Sequence, residues 1–343
     1  MKLILHDENI FSLKCERSTN VEDGIFNFVV DDIRILRDIY NFKWEKLIID
    51  LGINRSNVFS TEIKENSYYR EIKKLFSSKD TEEEYIVKQL IDYYEKNGVG
   101  VFTDNVVFRW NGKNEFEAIE YFDSITFEDL IGYSNQKKIL MENTLNFINN
   151  GKGNNVLLYG DRGTGKSSSV KALINEYSKY GLRIVEIKKS QLYFIPQIIE
   201  IARHRKYKFI IFIDDLSFED FETDYKNFKA IIEGSFGKKP DNVLIYVTSN
   251  RRHLVRESFV ERENDVHSNE TMQEKLSLFD RFGITILFDQ PKDELFNEMV
   301  IKLARNNGVL MPDTELIKLA NEWKILKASR SGRTAQQLVD SLL

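Results

Sequence analysis

An apolar run, Asn155–Tyr159 (NVLLY), leads into Gly160-Asp161-Arg162-Gly163-Thr164-Gly165-Lys166-Ser167, and a helical pattern, Ser167–Lys179, follows. Few stretches of this length restrict a fold so strongly. Glycines let the loop wrap so that successive backbone N–H groups converge on an anion. A helix N-terminus directly behind the loop adds its partial positive charge. Strand, loop and helix in that order imply a βαβ unit whose parallel sheet opens at its C-terminal edge. The pattern assigns Gly160–Ser168 to the phosphates of a nucleotide, Lys166 to the β- and γ-phosphates, and the Ser167 hydroxyl to Mg²⁺. A glycine-rich turn that matches by chance is the alternative, and the flanking strand and helix argue against it.

Four further β-branched runs follow the same texture: Arg183–Ile187, Phe209–Asp214, Val243–Ser249 and Ile284–Phe288. Runs that are apolar throughout and alternate with helices predict a parallel sheet covered on both faces. Phe209–Ile213 ends in Asp214-Asp215, which places two carboxylates at the ligand-binding edge. Asp214 is expected in the Mg²⁺ shell, and Asp215 is expected to polarise the attacking water. Val243–Ser249 ends in Asn250, an amide able to orient that water, although Asn at a strand end is also a common turn residue. Arg281, just before the last run, is a candidate arginine finger, the alternative being a surface pair with Asp280. Arg333, at the start of the final helix, is a candidate to close over the γ-phosphate, or else a solvated helix-start residue.

Texture divides the chain into residues 1–122, mostly helical by periodicity; 123–290, the nucleotide-binding core; and 291–343, three helical segments. In the first region Val30–Trp44 and Thr81–Asn97 carry apolar residues at spacings of three and four. Val99–Trp110 alternates like a hairpin around Thr103-Asp104-Asn105. Forty-nine basic residues against 54 acidic ones give a net charge of −5, which disfavours a chain that coats bare nucleic acid. One cysteine, Cys15, forbids an intrachain disulfide and suits a reducing compartment. Four scattered histidines show no metal-ligand spacing. The opening MKLILHDENIF is too short in apolar residues for a signal peptide, and no apolar run of roughly 18 residues follows. The expectation is therefore a cytoplasmic chain.

The order of motifs resembles the AAA+ ATPases: P-loop, strand with two acids, strand ending in Asn, Arg before the last strand, then a helical lid bearing Arg. Phe127-Glu128-Asp129-Leu130-Ile131-Gly132-Tyr133 and Ser331-Gly332-Arg333-Thr334-Ala335 narrow the likeness to a bacterial AAA+-related ATP-binding family catalogued as a domain of unknown function. The resemblance covers about Ile125 to the C-terminus. It implies a five-stranded P-loop αβα sandwich with a C-terminal helical lid, and a homo-oligomer with ATP between subunits. It further implies sensor 1 at Asn250, an arginine finger at Arg281, sensor 2 at Arg333, and adenine contacts from Ile131-Gly132. Many family members carry Asp-Glu where this chain has Asp214-Asp215, which makes slow turnover an open alternative. Lys188–Phe194 lacks the aromatic-apolar-Gly pattern of threading members, so Tyr193 and Phe194 are expected in the core or an interface.

Two functions remain: an Mg-ATP-hydrolysing switch acting on a protein client, or a weakly hydrolysing, ATP-gated adaptor that binds a protein or single-stranded DNA. Arg251-Arg252-His253 is the one local basic cluster, and nucleic acid is the less favoured partner. Glu219 and Asp220 read as further carboxylates or solvated residues, and Val255–Gln273 reads as a mobile loop.

Overall fold

The computed structural model describes residues 8–52, 67–78, 80–218, 224–233, 240–250 and 281–343. Arg251-Arg252-His253, Glu219, Asp220 and Val255–Gln273 lie outside them. The chain divides into two units, Met1–Asn105 and Val106–Leu343.

The first unit is built from helices α1 (Ile10–Arg17), α2 (Asp23–Asn41), α3 (Trp44–Asp50), α4 (Ser67–Ser77) and α5 (Glu83–Asn97). The periodic residues of α5, Ile86, Val87, Leu90, Ile91 and Tyr94, are all buried, so the spacing marks a core face as expected. They pack with Phe11 and Cys15 of α1, Ile33 of α2, and Ile72 and Phe76 of α4. Asn9 begins α1 with a reciprocal cap, its side chain accepting from the Ser12 N–H at 2.9 Å while Ser12 Oγ accepts from its own. Buried Arg37 is satisfied by Glu83 and the Thr81 carbonyl, both at 2.7 Å, as a guanidinium removed from water requires.

The second unit holds a sheet in the order β2-β1-β4-β5-β6-β3-β7. Its strands are β1 (Val107–Trp110), β2 (Phe116–Ala118), β3 (Val156–Gly160), β4 (Leu182–Ile187), β5 (Lys208–Ile213), β6 (Val243–Ser249) and β7 (Ile284–Phe288). All neighbours run parallel except β1 and β2. The five runs expected from sequence are β3 to β7, but the sheet has seven strands, not five. The additional pair comes from residues assigned above to the N-terminal region. Val107–Trp110 joins β4, and its hairpin turns at residues 111–115, where Gly112 takes φ +78°, and not at Thr103-Asp104-Asn105. Four-residue and three-residue strands are too short for their alternation to separate them from helix.

Alternation within the strands explains the two covered faces. Leu158, Ile184, Ile210, Phe212, Tyr246 and Ile286 meet α6 (Ser134–Asn150) and α7 (Lys166–Tyr177) in one core. Leu157, Val185, Ile211, Ile245 and Val247, at the opposite parity, are equally buried, as are Ile195, Ile198 and Ala202 of α8 (Ile195–Arg203). A short helix α9 (Asp224–Glu233) precedes β6. The lid is three helices, α10 (Asp293–Asn306), α11 (Asp313–Lys327) and α12 (Gly332–Asp340), closed over Phe296, Val300, Leu316, Ala320 and Leu338. Tyr193 is 65% exposed and stacks on Phe194, ring centroids 4.0 Å apart, while Phe194 lies against Trp110. Of the two, Tyr193 is thus no core residue of this unit.

Candidate functional site

Sheet order decides the site. β6 sits between β3, which feeds the P-loop, and β5, which delivers the two aspartates. Three strand ends therefore converge at one edge, and the residues beyond Gly160, Ile213 and Ser249 meet there. A cleft of about 670 Å³ opens at that edge, bounded by the loop, Asp214, Asp215, Asn250, the turn at Ile131-Gly132 and the lid.

The loop is held open by glycine geometry. Gly160 takes φ +129°, and a Cβ there would stand 2.2 Å from the Phe288 carbonyl oxygen of β7. No side chain fits at that position. Gly163 takes φ +76° and passes against Ser331 and Arg333 of the lid, whose N–H at Arg333 donates to the Gly163 carbonyl at 3.3 Å. Thr164 Oγ1 donates to the Asp161 carbonyl at 2.8 Å, and the Asp161 carboxylate accepts from the Gln290 N–H at 3.1 Å. Arg162 and Ser168 line the same cleft.

Lys166 is 5% exposed and donates to the carbonyls of Gly160 (2.8 Å) and Asp161 (2.6 Å) and to Asn250 Oδ1 (3.0 Å). Burial pulls its ammonium below the ordinary lysine range; Asp161, Asp215 and Asp214 act against that, and Arg333 acts with it. Arg333 lines the same cleft.

The Ser167 hydroxyl donates to Asp214 Oδ1 at 2.5 Å, although the two lie 47 residues apart in sequence. Two hard oxygen ligands side by side next to a phosphate loop suit Mg²⁺, which takes few protein ligands and fills its shell with phosphate and water. Among the described residues, no group of three or more His, Cys, Asp or Glu gathers into a metal cage. Asp215 stands at φ +50°, a left-handed conformation that Asp tolerates better than most residues. Its carboxylate accepts from Asn250 Nδ2 at 2.5 Å. Asn250 thereby touches both Lys166 and Asp215.

Thr248, passed over in the sequence as a strand end, organises both acids. Its buried hydroxyl donates to Asp214 and accepts from the Asp215 N–H at 2.9 Å, and its carbonyl accepts from the Leu216 N–H at 2.8 Å. Only the pairing of β5 with β6 reveals this. Thr248→Val keeps the shape and removes both side-chain bonds. Any metal-dependent turnover in this cleft is expected to fall about 10- to 100-fold, as for other partners that orient metal-side ligands. A steady-state rate equal to wild type would show that the acids hold themselves.

At the other end of the cleft, Gly132 takes φ +82° and packs on Leu295 of α10, and Met299 and Leu303, one turn apart on that helix, add apolar wall. Lys137 Nζ fixes the preceding turn by donating to the carbonyls of Phe127 (3.1 Å) and Leu130 (2.6 Å). Leu295, Met299 and Leu303 carry no sequence signal beyond helical spacing.

Arg281 alone stands apart. It precedes β7 at Ile284, which pairs with Val156 at the start of β3, so it lies at the edge of the sheet opposite the P-loop. Five residues of strand separate those edges, about 16 Å. It is exposed and does not line the cleft.

Among known proteins, a family model described as "Protein of unknown function (DUF815)" matches residues 103–343. No curated protein matches the chain significantly. Among solved structures, an alanine-to-serine point mutant of Thermotoga maritima RuvB is similar at 18% identity and TM-score 0.44, over 63% of this chain and 64% of that one. The Thermotoga maritima RuvB Holliday junction branch migration motor is similar at 18% identity and TM-score 0.43, over 63% of each chain. The match thus spans less than two thirds of either solved chain.

Proposed function

This chain belongs to the family of proteins of unknown function DUF815, and from the geometry of its cleft we propose that it is an AAA+ ATPase that hydrolyses Mg-ATP to change the conformation of an assembly or client. The observation that carries the reading is Asn250 bonded to both Lys166 and Asp215, beside the pair of Ser167 and Asp214. A phosphate site alone needs the loop and Lys166. A hydrolase also needs a carboxylate aimed at water, and Asp215 is held in that role by Asn250 and Thr248.

ATP enters with its β-phosphate on the N–H groups of Gly163–Ser167 and the N-terminus of α7. The adenine meets Ile131, Gly132 and the Met299–Leu303 wall. Ser167 and Asp214 would hold Mg²⁺, which would supply neutralisation of phosphate charge. Asp215 draws a proton from the attacking water, Asn250 orients it, and Lys166 and Arg333 take up charge on the leaving and transferring groups. Loss of the γ-phosphate releases Arg333. Because α12 is tied to Gly163 by the Arg333 N–H, the lid moves with the nucleotide state.

Arg281 faces away from its own cleft, which supports a site completed by a second copy of the chain. Specific ATPase activity is then expected to rise with protein concentration in step with oligomer size, read by light scattering. ATP binding with a rate near zero at every concentration would overturn the hydrolase reading and leave an ATP-gated adaptor. No helix among the described residues is long and apolar enough to cross a membrane.

A further inference from the structure

A second cavity, of about 250 Å³, opens in the P-loop unit between β1, β4, β5 and α7. Its floor is Val107, Ile184 and Phe212 from three adjoining strands, with Val170 and Ile174 of α7, all buried. Strand register places Val107 and Arg109 of β1 on the same face as Ile184 and Glu186 of β4. The outer wall is the segment 119–123, and it is pinned in place. Asp123 forms an ion pair with Lys171 at 2.6 Å, while Asn175 Nδ2 donates to the carbonyls of Asp123 (3.0 Å) and Ile125 (2.7 Å). The cavity is therefore pre-formed, as ligand sites generally are.

Its rim carries an unusual pair. Arg109 and Glu186 are register partners on neighbouring strands, which run about 4.8 Å apart. Both are exposed, and neither enters an ion pair or side-chain hydrogen bond among the described residues. A guanidinium and a carboxylate, both available and close together, stand above a floor with no polar atom to satisfy. Nothing in the nucleotide site uses them.

We propose that this cavity binds a small zwitterion with an apolar side chain, in chemical class an α-amino acid. Arg109 takes the carboxylate through its planar fork, Glu186 takes the ammonium, and the floor takes the side chain. Charges of both signs line the rim, Arg109 and Lys171 with Asp123 and Glu186, and Glu117 of β2 is the register partner of Arg109 on its other side, so a simple anion is disfavoured. A chain terminus brings only one of the two charges. The volume, below the usual range of drug-sized sites, admits one small molecule and no helix or strand. Phe212 stands two residues before Asp214 on the same strand face, so an occupant rests against the strand that carries the metal-side acid.

The test is calorimetric titration of the full chain with L-leucine and L-phenylalanine. Each is compared with the amine that lacks the carboxylate (isoamylamine, phenethylamine) and the acid that lacks the amine (4-methylvalerate, hydrocinnamate). Saturable binding of the amino acids is expected, weakened at least about tenfold by loss of either charge. Arg109→Ala is expected to abolish discrimination against the amines, and Glu186→Ala discrimination against the acids. Both side chains are exposed, and an unchanged melting temperature verifies that each variant folds. The proposal is overturned by no saturable heat with either amino acid. Binding indifferent to both charges or to both substitutions overturns it too, as does binding of Leu- or Phe-containing peptides where the free amino acids fail.

Discussion

Lys166→Ala is expected to abolish measurable ATP binding while leaving the fold intact. The ammonium lies at the floor of the cleft, almost fully buried, aimed between two loop carbonyls and Asn250. A bound triphosphate offers it a full anion, and truncating one partner of such a buried charged pair costs about 2–5 kcal/mol, on the order of 30- to several-thousand-fold in Kd. Lys166 lines an open cleft, where water can replace the ammonium on its three acceptors. The melting temperature of the variant should therefore stay close to wild type, whereas its nucleotide-induced thermal shift should vanish. Fluorescent-nucleotide titration measures this directly. An affinity within about threefold of wild type would remove Lys166 from the phosphate site.

For Arg281→Ala the expectation is the reverse division: unchanged ATP affinity, and turnover lower by about 10³ or more, the usual worth of an arginine supplied across an interface. The residue sits at the start of β7, the wrong edge of the sheet for its own cleft. A heterologous contact between copies would carry it to a neighbour's. Mixing discriminates this from a structural effect. Lys166→Ala chains bring Arg281 and Arg281→Ala chains bring Lys166, so the mixture of two inactive variants should recover activity at up to about a quarter of its interfaces, given random assembly in a closed ring. Turnover unchanged in Arg281→Ala would exclude it as a finger. Lost turnover with no recovery on mixing would place its effect within its own subunit.

The loop residues that the sequence singles out lie together at one cleft because the loop is a local device. Gly160, Gly163, Gly165, Lys166 and Ser167 are contiguous, and their roles depend on backbone conformation and one helix start. Asp214 and Asp215 were legible for a similar reason, as acids that end a fully apolar strand. The strands β1 and β2 were not, since strands of four and three residues are specified by their partners and not by their own pattern. Val107–Trp110 is extended because β4 offers it a ladder.

Thr248 marks the division most clearly. Its type and place at a strand end were visible, yet nothing local says that its hydroxyl lies between two aspartates 33 and 34 residues earlier in the chain. Nor does periodicity say that Arg281 stands away from its own cleft, or that Arg109 stands beside Glu186 over an apolar cavity. By itself the sequence determined a P-loop αβα core, its glycine-rich loop and its acid-bearing strand, because those depend on local conformation and burial. Only the tertiary structure decided which side chains meet, because strand order and register bring together groups between which the chain carries no local interaction.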